Sequence, residues 1–207
     1  MTPLAITPGD PGGIGPDLCI QAAADGELGG IVVADPEIIK RRADSLGLSV
    51  QIMDADHYNP ERTQGIVYVE PVAAADPTNM PGVSDPTNAG YCLQSLEHAL
   101  QGIKEGNFRA LVTGPVNKAT IRDGGFESFT GHTEFLRDFF GLPEVVMMLA
   151  STDCRVALVT THLPLAEVPK TITLKRIETV TGIVIKAISD VFQIPQPRSH
   201  VLGLNPH

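Results

Sequence analysis

The chain has 207 residues, 43% of them hydrophobic, and carries 15 Lys+Arg against 24 Asp+Glu, a formal net charge of −9. That length holds one large domain or two small ones around a proper core, and the apolar share is that of an ordinary globular chain. The acidic balance excludes nucleic acid as a general partner, since a phosphate backbone needs a basic surface, and no run of about 18 apolar residues is present to cross a membrane.

The opening MTPLAITPGD has neither a basic stretch nor a long apolar one, so no secretory leader is expected. LAIT (4–7) reads as a strand, followed by a helix over 14–24 with Pro16 near its first turn, where a missing N–H costs little. GIVVAD (30–35) is a second strand. Pro36 then opens a helix over 36–46 that sets Ile38, Ile39, Ala43 and Leu46 roughly on one face. LSVQIM (48–53) and GIVYVE (65–70) read as further strands, and residues 71–90, rich in Pro, Gly, Asp and Asn, are the best loop or hinge candidate. Ala89, Leu93, Leu96, Leu100 and Ile103 repeat at helical spacing and predict a helix over 88–105. ALVTGP (110–115) is a strand running into a turn, and FTGHTEFLRDFFG (129–141) a loop feeding a helix that closes on Gly141. VVMMLA (145–150) and RVALVTTH (155–162) are β-rich, 174–192 is an amphipathic helix, and HVLGLN (200–205) is the last strand. This rhythm predicts an α/β fold with a largely parallel sheet. Cys19, Cys92 and Cys154 are odd in number and widely spaced, and read as reduced core thiols of a cytosolic protein.

Four stretches hold candidate chemistry. TPGDPGGIGPDL (7–18) is a glycine-rich turn between a strand and a helix, but neither GxGxxG nor GxxxxGK[ST] occurs in it. A tight turn and an anion-binding loop remain equal readings, and Asp10 either complements a cation or caps the turn. TGPVNKA (113–119) delivers Asn117 and Lys118 at a strand mouth, where Lys118 is either a solvated loop cation or a partner for phosphate or carboxylate. TGHTEF (130–135) sets His132 and Thr133 where a loop becomes a helix, and Thr133 is expected to cap that helix. VTTHLP (159–164) and GLNPH (203–207) each end a strand in a polar break with a histidine behind it. At neighbouring parallel strand mouths, His162 and His207 would face one crevice. Two imidazoles do not complete a metal site, which ordinarily takes a third protein ligand. His57, His98 and His200 receive no role, and no residue is assigned as catalytic.

The blocks ITPGDPGGIGPDL, LVTGPVNKATI, FTGHTEFL, VMMLA, RVALVTTHLPL and LGLNPH, in this order and spacing, resemble the 4-hydroxythreonine-4-phosphate dehydrogenase family of pyridoxine biosynthesis. The resemblance implies a two-lobed, parallel α/β/α fold like that of the isocitrate/isopropylmalate dehydrogenase superfamily, with a first lobe over 1–115 and part of a second over 116–207. It implies oxidation of 4-phosphooxy-L-threonine by NAD or NADP, then decarboxylation to 3-amino-2-oxopropyl phosphate. His162 and His207 match two of three ligands to a divalent zinc, magnesium or cobalt ion. His132 and Thr133 match substrate contacts, and Asp10, Asn117 and Lys118 fall near the cleft. A cytoplasmic homodimer that shares ligands between subunits follows from the same likeness. A dehydrogenase of threonate or erythronate 4-phosphate would carry much the same blocks, and a phosphate acyltransferase shares the two-lobed fold without the metal-binding histidines. Members of the family continue well beyond the Asn-Pro-His block, so the chain reads as lacking a C-terminal third and is expected to be inactive by itself.

Overall fold

A computed structural model describes residues 2–204. The chain divides into two compact units, Met1–Phe140 and Gly141–His207. In the first, β1 (Leu4–Thr7), β2 (Gly30–Ala34), β3 (Gln51–Asp54), β4 (Ile66–Pro71) and β5 (Ala110–Thr113) form one sheet in the order β3-β4-β2-β1-β5. Every pairing in it is parallel. Side chains alternate across the strands and so build two core layers. Val32, Ala34, Val67 and Val69 pack with helices α1 (Gly15–Asp25) and α2 (Pro36–Leu46) on one face. Ala5, Ile31, Val33, Ile66 and Tyr68 pack with Ala99 of α3 (Ala89–Glu105) and with Phe108 on the other. The predicted α/β architecture with a parallel sheet is therefore present, with helices on both faces.

Local chemistry sets the helix starts. Asp35 caps α2, its Oδ1 accepting from the Glu37 N–H at 2.8 Å, with Pro36 in the first turn. Its second oxygen accepts from the Ala74 N–H at 2.8 Å and ties the loop after β4 to the same point. Helices α4 (Lys118–Asp123) and α5 (His132–Phe139) complete the unit. Ile121 and Phe129 join Leu93 and Leu96 of α3 in one buried cluster, with Phe135 packed against it. That shared core is why this compact unit runs to Phe140.

The second unit departs further from expectation. Its strands are β6 (Met148–Ala150) and β7 (Arg155–Ala157), shorter than the apolar runs that suggested them, and they pair antiparallel across a tight turn. Cys154 lies exposed in that turn, so the core-thiol expectation fails there and holds for the buried Cys19 and Cys92. Two helices follow, α6 (Val168–Thr171) and α7 (Leu174–Asp190), the latter capped by Thr173 Oγ1 accepting from the Arg176 N–H at 3.2 Å. Residues 200–204 are not a strand: Val201 is 64% exposed and Leu202 87%. An apolar run becomes a strand only where a neighbour takes its N–H and C=O groups, and no described strand lies beside this one.

Candidate functional site

Strands β1 and β5 pair in register, Ile6 with Val112 and Thr7 with Thr113, so the loops leaving their carboxyl ends run side by side. The Gly114 N–H donates to the Thr7 carbonyl at 2.7 Å and the Asp10 N–H to the Pro115 carbonyl at 3.2 Å. Inside the glycine-rich loop, the Gly12 N–H donates to Asp10 Oδ1 at 3.0 Å and the Gly13 N–H to the Asp10 carbonyl at 2.9 Å. The amides of residues 10, 12 and 13 are thus spent internally. The loop is a tight turn, and the buried Asp10 caps it.

Arg42 holds that turn from beneath, and sequence reasoning missed it. Its guanidinium, 6% exposed, donates to the carbonyls of Pro11 at 2.6 Å and Gly13 at 3.3 Å and to Asp17 Oδ1 at 2.8 Å. The available signal was position: Arg42 stands on the apolar stripe of α2, four residues after Ile38 and beside Ala43, where a cation is buried only if it is paired.

The second loop brings the better candidates together. Asn117 caps α4, its Oδ1 accepting from the amides of Ala119 at 3.0 Å and Thr120 at 3.3 Å. Lys118 follows as the first residue of α4. Helix α5 opens at His132 behind Gly131, whose φ of 144° few other residues adopt. Thr133 therefore lies inside the first turn and does not cap it; no side chain does. The first amides of α5 have no carbonyl one turn back to receive them. Lys118 reaches the same corner: a Cβ on Gly131 would stand 3.0 Å from Lys118 Nζ and 3.5 Å from Glu134 Oε2. His132 Nε2 is sealed from solvent and has no hydrogen-bond partner. Burial first, and the charge of Lys118 second, hold this imidazole below its usual pKa. A neutral imidazole, an ammonium and an open helix start can together receive a phosphate or carboxylate. Gly131 and Glu134 also line the adjoining groove of about 410 Å³ with Leu93, Phe129, Phe135 and Phe139, so the Glu134 carboxylate stands beside the same corner and, with Glu97, opposes an anion on that side.

The structure therefore gathers Lys118, His132 and Thr133 at one corner, with Asp10 and Asn117 in the neighbouring strand-end loops. His162 belongs to the second unit, exposed and in a bend well past the end of β7, with a left-handed φ of 54°. Its expected place directly at a strand mouth is not found, because β7 stops at Ala157. His207 lies outside the described residues. Among the described residues no three His, Cys, Asp or Glu side chains gather to hold a metal ion.

Fold and corner together define an α/β protein with parallel strand-end loops and an uncapped helix start beside a lysine. The family model described as pyridoxal phosphate biosynthetic protein PdxA matches residues 28–207, and the chain belongs to that family. It is 44% identical to the 4-hydroxythreonine-4-phosphate dehydrogenase of Vibrio cholerae over 99% of this chain and 62% of that protein. The Pseudomonas putida protein of the same name is 43% identical over 100% of this chain and 64% of its own. The solved structure of 4-hydroxythreonine-4-phosphate dehydrogenase from Klebsiella pneumoniae superposes with a TM-score of 0.90 at 28% identity, covering 100% of this chain and 65% of that one. The chain thus spans a little under two thirds of the length of these relatives.

Proposed function

We propose that this chain carries part of the substrate site of an enzyme that oxidises 4-phosphooxy-L-threonine with NAD or NADP. The hydroxyl proton and the carbinol hydride leave to give a ketone. The resulting β-keto acid then loses CO₂ and regains a proton at the carbon left behind, giving 3-amino-2-oxopropyl phosphate. The observation that supports this is the meeting of Lys118, His132 and the uncapped start of α5 in a chain whose relatives bear the dehydrogenase name. Lys118 Nζ and the first amides of α5 bind the anionic end of the substrate. His132 Nε2 is sealed from solvent, so the neutral ring turns on binding to hydrogen-bond the substrate, and Thr133 adds its hydroxyl on the next residue of the same turn.

His162 fits a metal donor in one respect, an exposed imidazole, but the described residues do not complete a site. In this reading His207 and a third ligand from a second subunit join it, within a cytoplasmic homodimer. A divalent zinc, magnesium or cobalt ion held there would supply a Lewis acid for the oxidation and the loss of CO₂.

Calorimetric titration with 4-phosphooxy-L-threonine tests the corner, and appearance of reduced nicotinamide with metal and NAD or NADP tests the reaction. We expect saturable binding that Lys118→Met weakens about tenfold or more, as loss of a charge-assisted phosphate contact does. Unchanged binding in that variant overturns the assigned corner. Preferential turnover of threonate or erythronate 4-phosphate overturns the assigned substrate.

A further inference from the structure

The loop over 77–87, between β4 and α3, is pinned at its base. Asn88 is 1% exposed, and its side chain accepts from the Asp76 N–H at 3.0 Å and donates to the Asp76 carbonyl at 2.9 Å. One amide thus closes both ends of the loop, and Asp76 and Asp85 stiffen those ends by accepting from the amides of Thr78 at 2.8 Å and Thr87 at 2.9 Å. From this base the loop reaches across both strand-end turns. The Gly82 N–H donates to the Gly12 carbonyl at 2.8 Å, and Asn117 Nδ2 donates to Ser84 Oγ at 3.2 Å. The Val83 carbonyl lies so close to Gly12 that no Cβ fits between them.

What holds the loop down is slight. Met80 is 69% exposed and Val83 53%, so neither large apolar residue anchors it. Working against the two tethers is Asn79. Its Nδ2 and Oδ1 are both sealed from solvent without a partner, and Oδ1 is 3.0 Å from the position a Gly12 Cβ would take. A buried amide with neither group satisfied is unfavourable, and lifting the loop returns it to water.

We propose that residues 77–87 are a lid over the glycine-rich turn that follows β1, tethered also to the loop after β5 and hinged on the Asn88–Asp76 clamp, whose closed position is opposed by the unpartnered amide of Asn79. Opening uncovers the buried Asp10 turn and releases the exposed Asn117 side chain from Ser84, since the lid is tethered to both. The device stands on this geometry and does not depend on which substrate the protein takes.

Amide hydrogen exchange on the full chain, read by NMR, tests it, because the Gly82 N–H is itself a tether. Asn79→Ala removes the opposing amide and is expected to slow exchange at Gly82 about tenfold. Gly12→Ala forces Val83 away and is expected to speed it at least tenfold. The amides of Val32 and Leu96, in the sheet and in α3, keep their rates in both variants. Gly82 exchange that is unchanged by Asn79→Ala, or that moves in step with Val32 and Leu96, overturns the proposal.

Discussion

The two units spend similar apolar sequence to different effect. The first buries all of β2 and most of β4, and Ile20, Ile39, Leu96 and Leu100 are all but sealed from solvent. In the second, Val180 is the one buried apolar residue among those described, while Leu165 is 84% exposed and Leu174 75%. Helix α7 is as long as α3, at 17 residues each, yet α3 buries nine residues and α7 one. Length and amphipathic pattern are alike; what differs is the sheet beneath. A helix draws most of its stability from the surface it covers, and a five-stranded sheet offers one where a two-stranded ribbon does not.

Thiol chemistry gives the largest test of that contrast. Burial pushes Cys19 and Cys92 up to about 12, with the Asp10 carboxylate adding to the rise at Cys92, whereas Cys154 sits exposed. The thiolate is the reactive form, so one thiol per chain should label rapidly and two slower by orders of magnitude. Three fast thiols in the native protein would mean that the first unit does not seal its core.

Next come the two arginines, one in each unit, that staple loops by similar bonds. Arg176 donates from Nε to the Val159 carbonyl at 2.7 Å and from its guanidinium to Glu144 Oε2 at 3.0 Å, with 31% of its side chain exposed. Arg42 makes three such bonds at 6% exposure. Arg42→Ala leaves buried carbonyls and Asp17 unmatched and is expected to cost about 3–5 kcal/mol in urea unfolding; Arg176→Ala is expected to cost about 1 kcal/mol. Arg42→Lys should recover little, because a point charge cannot reach two carbonyls and a carboxylate as a planar fork does. Equal losses at the two positions would break the comparison.

The core itself supplies a smaller difference. Leu96→Ala is expected to cost about 3 kcal/mol, and Val180→Ala, which removes a smaller side chain from a thinner layer, about 1–2 kcal/mol. Both are read as shifts in the urea midpoint at constant slope.

These contrasts track what could be read in the sequence. In the first unit, LAIT matches β1 residue for residue and the helix from Pro36 ends at Leu46 as the pattern predicts, because each pattern meets its intended partner. The six-residue α4 escaped notice, since it is too short to show a helical repeat and is set by the Asn117 cap. Thr133 was misplaced because cap preferences favour Ser and Thr, while here the backbone of Gly131 starts the helix two residues earlier. In the second unit, 155–162 and 200–205 carry buried-strand sequence, but strand formation is a property of pairs, and β7 pairs for only three residues. The corner at the start of α5 was half legible. Lys118, His132 and Thr133 were named from two separate blocks, and only packing on α3 makes them one place.

The last and smallest effect concerns that corner. His132 is held below the usual histidine value of 6.5, first by burial and then by Lys118. The folded chain therefore resists a proton that the unfolded chain accepts. As pH falls below 6.5 the unfolded state gains protons first, and stability declines until the folded pKa is passed. Lys118→Met removes the lesser cause, so the imidazole should titrate higher than in the unaltered protein yet still below 6.5, because its burial remains. Following the His132 ring protons by NMR across pH 5–8, the range in which histidine charge changes, reads this directly. A wild-type value at or above 6.5 would show the ring open to water, and a value unmoved in Lys118→Met would show the ammonium too far away to share an anion with it.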